Sequence, residues 1–512
     1  MNAEQQTRAW LTEYRSPQAS AAHLLCDRHP ADAVAFTLVE PDLSAESMTW
    51  GQLADESRRM ATVLAAEGVQ RGECVPVLLG KRRALVVTLL ALWRLGAVHV
   101  PLFTAFATGA VELRTEGSGA KLVVTDASQR SKVDPIDAVT VLDADELVAR
   151  AATAEPLAES VAIGGDGTLV QLYTSGTTGK PKGVPVPLFC LASFQTYLHY
   201  SLDVTEEDVF WNAADPGWAY GLYYALLAPM VAGRTSLLLN QGFTPESTVE
   251  VIRRFGVTNF AAAPTIYRAM RAGSDLDGIT LRRASSAGEP LTPDIVAWGV
   301  AELGCEVRDQ YGQTELGMVI GNHWHPELAQ PLRPGSMGQP MPGYAAGIVD
   351  GQIAIDVPGS PLLWFSGYDA APEKTVERYT ADGRWYLTAD TGQVDDEGYF
   401  AFTSRDDDVI LAAGYRIGPF DVESVLAGHP SVNEVAVVGR PDPEGIRGEV
   451  VEAFVVLRSG FVGDDALADE LKKLVRDEYS KHAYPRTVHF VDSLPKTPSG
   501  KIQRFILRRE GA

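Results

Sequence analysis

Glycines, hydroxyls and lysines crowd the stretch from Tyr173 to Val184. Thr174, Ser175, Gly176, Thr177, Thr178, Gly179 and Lys180 follow one another, and Pro181, Lys182 and Gly183 close the run. Glycine lets the backbone turn tightly and bring amide N–H groups against a ligand, while hydroxyl and ammonium groups suit phosphate oxygens. Thr168 to Tyr173 alternates apolar side chains as a strand does, so the loop stands at a strand's end. Nucleotide phosphates dock at such ends in open α/β sheets. A P-loop kinase or ATPase fits poorly, because its motif needs Ser or Thr directly after the lysine to reach magnesium, and here Pro181 follows Lys180. A plain flexible linker seldom pairs this glycine density with lysines.

Four further segments carry side chains suited to the same ligand. In Asp309-Gln-Tyr-Gly-Gln-Thr-Glu315, Tyr311 could stack on a flat base and Thr314 could bond a phosphate. Glu315 could hold Mg²⁺, a hard cation that prefers oxygen; it also fits a solvated surface acid. Ser285 to Leu291 makes a second glycine-bearing turn around Gly288. Tyr386-Leu-Thr-Ala-Asp390 ends a strand on an acid of the type that grips ribose hydroxyls, although Asp390 also fits a helix or turn cap. Pro495 to Arg504 places Lys501 on a glycine-bearing turn, where it is either a working cation or one exposed lysine among many.

The elements that must position these groups follow an α/β rhythm. Val75–Leu79, Ala97–Val100, Lys121–Thr125 and Val139–Leu142 read as strands, and Lys81–Leu95 reads as a helix between them, which favours a parallel sheet with crossover helices. Thr244-Pro-Glu opens a helix to Arg254, with a strand from Val257 and a helix over Pro264–Ala272 after it. From about Pro331 short strands near Ala346, Gln352, Leu362–Phe365 and Tyr399 suggest a small β-barrel or meander. Beyond Arg405-Asp-Asp-Asp408, a helix over Asp421–Gly428, strands at Val435 and Val450–Leu457 and a helix over Asp464–Tyr479 suggest a separate α+β domain.

Composition narrows the class: 512 residues, 46% hydrophobic and 21% charged, make a globular chain of roughly two to four structural units. A net charge of −22 disfavours nucleic acid or an anionic membrane as partner. Cys26, Cys74, Cys190 and Cys305 lack CxxC spacing, which argues against zinc or a disulfide framework and fits a reducing cytoplasm. The first residues lack an apolar leader, and the greasy run Ala84–Trp93, closed by Arg94, is too short to span a bilayer and reads as a buried helix.

Taken in order, YTSGTTGKPKG, AGEPL, YGQTE, YLTAD, the Arg-Asp-Asp-Asp run, GYRIG and PKTPSGK resemble the adenylate-forming superfamily, in wording most similar to medium-chain acyl-CoA synthetases, from about Thr49 to Arg504. The resemblance implies a large N-terminal domain (1–404) of parallel-rich sheets, helices and a small β-barrel, a hinge at 405–408, and a mobile α+β domain (409–512). It implies an ATP-dependent ligase: a carboxylic acid and ATP give acyl-AMP and pyrophosphate, and coenzyme A then displaces AMP. In that pattern Lys501 shields the reacting phosphate, Glu315 carries Mg²⁺, the 174–180 loop covers the β- and γ-phosphates, and Asp309, Gln310 and Tyr311 line the base with Gly288, Glu289 and Pro290. Asp390 and Arg405 hold the ribose. Asp407 is the pivot, and Gly414, Tyr415, Arg416 and Arg476 approach coenzyme A, Arg476 fitting a solvated helix face equally well. Three adjacent acids repel one another, so the junction should be exposed.

Gly312 stands where the acetyl-specific branch of that superfamily has Trp, which implies an open pocket floor for a medium-length, bulky or cyclic acyl group. The ring-rich segment around Trp218, Ala219 and Tyr220 is its wall or, nearly as readily, core packing. Two positions depart from the pattern: Ala389 and Ser404 replace glycines before Asp390 and Arg405. Those departures leave open an enzyme that performs only the thioester-forming half on preformed acyl-AMP. An acyl carrier protein as acceptor in place of coenzyme A, and a binder of acyl-adenylate without catalysis, are the other readings.

Overall fold

The computed structural model describes residues 1–137, 139–174, 182–273, 275–405, 408–412, 415–442, 449–480, 482–497 and 501–509. Two sheets build the large N-terminal part. Six strands run in the order Thr140–Asp143, Leu122–Thr125, Cys74–Leu78, Val98–Pro101, Thr168–Thr174 and Lys182–Pro187. All pair in parallel except the last two, which pair antiparallel on either side of the glycine-rich stretch in sequence. Thr174 and Lys182 face each other across that pair.

Thirteen strands make the second sheet among the described residues, with Ala45–Thr49 antiparallel to Val34–Val39 at one edge. Its centre is parallel, from Val34–Val39 through Ser236–Leu239, Phe210–Asn212, Asn259–Ala262 and Arg283–Ala287 to Val307–Gln313. Antiparallel strands then continue it through Gly317–Gly321, Ser336–Pro340, Phe400–Arg405, Trp385–Val394, Gln352–Asp356 and Ala346–Val349. The expected meander is therefore the antiparallel end of the main sheet. Leu362–Phe365 is not one of its strands: it is irregular chain whose Leu362, Trp364 and Phe365 fill the core. Its apolar run reports burial rather than pairing.

The Arg83–Arg94 helix is buried from Ala84 onward, as its all-round apolar sequence requires. At its end the Arg94 guanidinium lies wholly inside the protein and donates to both oxygens of Asp27 (2.6 and 2.9 Å), to Ser57 Oγ and to Ser160 Oγ. The Pro245–Phe255 helix begins as its sequence predicts, with Thr244 Oγ1 accepting from the Ser247 amide.

In the C-terminal part, the helices Pro419–Ala427 and Asp465–Glu478 accompany the strands Val432–Pro441, Glu449–Leu457 and Thr487–Phe490. Asp464 caps the second helix. No helix among the described residues is long and apolar enough to cross a membrane.

Burial alone would raise the Asp27 carboxyl, but its bonds to Arg94 and the charge of Arg58 hold it below the usual carboxylate range. Removing it strands a buried cation, so Asp27→Ala should cost about 3–5 kcal/mol of stability, read from denaturant midpoints. Because the folded pKa is depressed, this contribution is present above about pH 4 and fades as pH falls through the lower folded value.

Candidate active site

Side chains of two of the motifs, Tyr311 and Gln313 of one and Asp390 of the other, meet where the parallel half of the main sheet joins its antiparallel end. Asp390 is buried and its Oδ2 accepts from Tyr311 Oη (2.6 Å) and from Gln313 Nε2 (2.6 Å). It is a buried acceptor in a polar cluster, not an end cap. Across the strand pair it stands opposite Arg405, whose side chain lies outside the described residues. Gly288, with φ +96°, turns the chain after Arg283–Ala287, and Asp309, whose carboxyl is raised by burial, accepts from the Gln310 and Leu291 amides beyond that turn.

Glu315 is also buried, so it is not a solvated surface acid. Its Oε1 accepts from Tyr368 Oη (2.7 Å), and Arg378 Nε donates to the same hydroxyl (3.0 Å). The Lys182 ammonium lies over the Tyr368 ring, 4.4 Å from its centroid. Burial and the neighbouring Arg378 lower the Lys182 ammonium, while Glu315 opposes them. The two acid clusters share one acceptor: the Thr388 carbonyl takes Gln313 Nε2 at 2.8 Å and Arg378 Nη1 at 3.2 Å.

Aromatic residues hold the turn between Thr314 and Met318. Tyr223 Oη donates to the Thr314 carbonyl, Trp364 Nε1 and Tyr344 Oη donate to the Leu316 carbonyl, and the Met318 amide donates to Tyr224 Oη. Tyr223 stacks on Phe194 and is fully buried, so these rings of the segment are core that also steadies the motif. Tyr220 Oη meets Tyr197 Oη at 3.0 Å, and Trp218 packs on Phe103 and Phe106 beside the half-buried Ala219.

Several expectations change. A Cβ on Gly312 would lie 2.1 Å from the Gly317 carbonyl oxygen and 2.7 Å from Met318 Cα, so the glycine permits close backbone approach and does not leave an open pocket floor. Gln310 bonds the Asn322 carbonyl on the face opposite Asp309 and Tyr311, as strand alternation dictates. Glu289 is held by Thr265 and Arg268. Asp408 is not an exposed, repelling acid: Arg508 bonds it at 2.6 Å and Arg504 lies at 3.6 Å. Arg504 in turn bonds both oxygens of Glu423. Exposed Lys501 stands three residues before this anchor, on a turn closed by Thr497 N–H to the Lys501 carbonyl (2.7 Å) and Lys501 N–H to Thr497 Oγ1 (3.1 Å). Arg476 is exposed beside Asp477.

Ser175, Gly176, Thr177, Thr178, Gly179, Lys180, Asp407 and Gly414 lie outside the described residues, as do the side chains of Tyr415 and Arg416. Sequence reading missed Gln313 and Lys182 as site residues although both sit inside quoted motifs. Tyr368 and Arg378 gave no signal in sequence.

Both departures from the glycine pattern are accommodated differently. Ala389 keeps the left-handed conformation, φ +61°, that favours glycine. The Ser404 hydroxyl is buried and meets Thr391 Oγ1 at 2.8 Å.

Glu315 suits a metal ion: it is a hard oxygen donor whose second oxygen accepts no hydrogen bond among the described residues. No cluster of three or more His, Cys, Asp and Glu that could hold a metal occurs among those residues. One carboxylate completed by phosphate and water is the habit of Mg²⁺.

Residues 24–371 match the sequence profile of AMP-binding enzymes and residues 421–501 that of the AMP-binding enzyme C-terminal domain. The acetyl-coenzyme A synthetase of Bacillus subtilis is 37% identical over 90% of this chain and 85% of its own. The crystal structure of an acyl-CoA synthetase from Brucella canis is similar with a TM-score of 0.75 at 43% identity, over 97% of this chain and 94% of that one. A benzoate CoA ligase from Burkholderia xenovorans LB400 gives 0.84 at 29% identity, over 96% and 99%.

Gly312→Ala should lower activity with short and long acids alike; loss confined to long acids would restore the pocket-floor reading. Ala389→Gly relieves a left-handed alanine and should raise stability by about 0.5–1 kcal/mol, measured by denaturant unfolding.

Proposed function

The chain belongs to the AMP-binding enzyme family, and we propose that it joins a medium-length, bulky or cyclic carboxylic acid to coenzyme A in two steps. It is an acid–thiol ligase that uses ATP, Mg²⁺ and coenzyme A. The acid's carboxylate oxygen attacks the α-phosphorus of ATP and pyrophosphate leaves. The thiolate of coenzyme A, its proton lost to solvent, then attacks the acyl carbonyl and AMP leaves.

What carries this reading is the pair of buried acids, Asp390 and Glu315, joined through the Thr388 carbonyl and flanked by Lys182 and Arg378. An anion meets a polyanion in the first step, so fixed cations must lie where negative charge gathers. In this proposal Asp390 and Arg405 hold the ribose, Tyr311 stacks on adenine beside Gly288, Glu289 and Pro290, and Thr314 bonds the α-phosphate. The loop from Thr174 to Lys180 covers the outer phosphates. Mg²⁺ on Glu315 would neutralise charge on those phosphates. Lys501 shields the reacting phosphate during acyl-AMP formation and leaves when the domain after 405–408 turns about Asp407, bringing Gly414, Tyr415, Arg416 and Arg476 toward coenzyme A. Trp218, Ala219 and Tyr220 face the acyl group. The cysteines are all free, in keeping with a cytoplasmic setting.

A restriction to the second step loses its ground, because Ala389 and Ser404 fit their positions without displacing Asp390 from its donors. Rates with coenzyme A against a carrier-bound phosphopantetheine separate the two acceptors.

Lys501→Ala should lower acid-dependent ATP–pyrophosphate exchange by about 10²–10³-fold. Thioester formation from supplied acyl-AMP should persist. Equal loss of both half-reactions would overturn the assignment.

A further inference from the structure

We propose that Arg378 is a positioning residue which, through the Tyr368 hydroxyl, fixes how Glu315 presents its carboxylate to a divalent cation; this rests on the reading of Glu315 as the metal-binding acid. A phenol hydroxyl has one hydrogen to give and lone pairs to receive with. Arg378 Nε–H occupies the accepting side of Tyr368 Oη at 3.0 Å, so the single hydroxyl hydrogen is directed to Glu315 Oε1 at 2.7 Å. One oxygen of Glu315 is thereby engaged, and the other is the one left to coordinate.

The guanidinium is itself pinned, since Nη1 donates to the Thr388 carbonyl on the strand that carries Asp390. Among the described residues Arg378 meets no carboxylate directly. Its hydrogen-bonded path to Glu315 therefore runs through the tyrosine, beside the direct attraction of the two charges. An ionised acid in this buried position needs such a partner when no cation is bound, because an isolated buried charge is costly.

The relay is also tied to the glycine-rich loop. Lys182, at the loop's exit, lies on the Tyr368 ring face. The next residues are locked together: the Asp369 amide donates to the Gly183 carbonyl (2.8 Å), and Gln171 Nε2 bonds both Asp369 Oδ2 and Tyr173 Oη. Both strands that flank the loop in sequence are thus fastened to the segment that orients Glu315. Groups that orient a metal ligand from behind typically change affinity by about 10–100-fold when removed.

The test is the Mg²⁺ dependence of ATP binding by calorimetry without acid or coenzyme A, on full-length Arg378→Met, Arg378→Lys, Tyr368→Phe and Glu315→Gln. Arg378→Met and Tyr368→Phe should each raise the half-saturating Mg²⁺ concentration by about 10–100-fold. At saturating Mg²⁺ their ATP affinity should return to within about threefold of the parent, as expected when only a ligand's aim is lost. Arg378→Lys, lacking the planar fork, should lie between. A loss of ATP affinity equal at all Mg²⁺ concentrations would overturn the proposal and make Arg378 a phosphate contact. Tyr368→Phe removes one oxygen, so it decides the matter should Arg378→Met fail to fold. An unaltered Mg²⁺ profile in Glu315→Gln would refute the metal-binding reading of Glu315 itself, whereas a shift there with none in the other variants would refute the relay alone.

Discussion

A carboxylate buried away from water persists only where donors and cations surround it, and the site is arranged around that demand at Glu315. Tyr368 supplies the donor, Arg378 polarises the tyrosine, and Lys182 lies on its ring. Each of these comes from a different part of the chain: the turn after a central strand, the irregular segment before a short helix, that helix's end, and the exit of the glycine-rich stretch. Satisfying one acid therefore fixes four segments relative to one another. Asp390 repeats the logic with Tyr311 and Gln313, and the Thr388 carbonyl joins the two groups.

Rings with polar ends make this rigidity compatible with a dry core. Tyr223, Tyr344 and Trp364 each bury a large apolar surface while a hydroxyl or indole N–H reaches a carbonyl of the turn that carries Thr314 and Glu315. A turn between two buried strands would otherwise leave carbonyls unpaired at a cost of about 1–3 kcal/mol each. The close approach at Gly312 belongs to the same turn, since any side chain there meets backbone across the hairpin.

Much of this was legible in sequence where local chemistry is decisive. Thr244 announced a helix start through its cap, the apolar run after Arg83 announced a buried helix, and the loop between Tyr173 and Val184 announced a strand's end. What stayed hidden depends on contacts distant in sequence. Leu362–Phe365 has the apolar character of a strand, yet tertiary packing claims it as irregular core. Tyr368 and Arg378 carry no pattern of their own, because their meaning lies in a carboxylate more than fifty residues earlier in the chain. Gly312 was misread for a related reason: absence of a side chain reads as space in sequence, while here the space is filled by backbone.

The C-terminal part illustrates how charge read along a chain differs from charge read in space. Arg405-Asp-Asp-Asp408 suggests mutual repulsion and exposure, but Asp408 is taken up by Arg504 and Arg508. Half-buried Arg504 bonds Glu423, whose Oε1 also accepts the Val437 amide on the Val432–Pro441 strand. Asp408 is thus held to the C-terminal framework by two guanidinium groups, Arg508 at 2.6 Å and Arg504 at 3.6 Å. Under the proposed rotation, Asp408 must travel with the C-terminal domain, and the bond that turns lies on its N-terminal side. Lys501 is held close to Thr497 by one backbone and one side-chain hydrogen bond, and Arg504, three residues on, bonds Glu423.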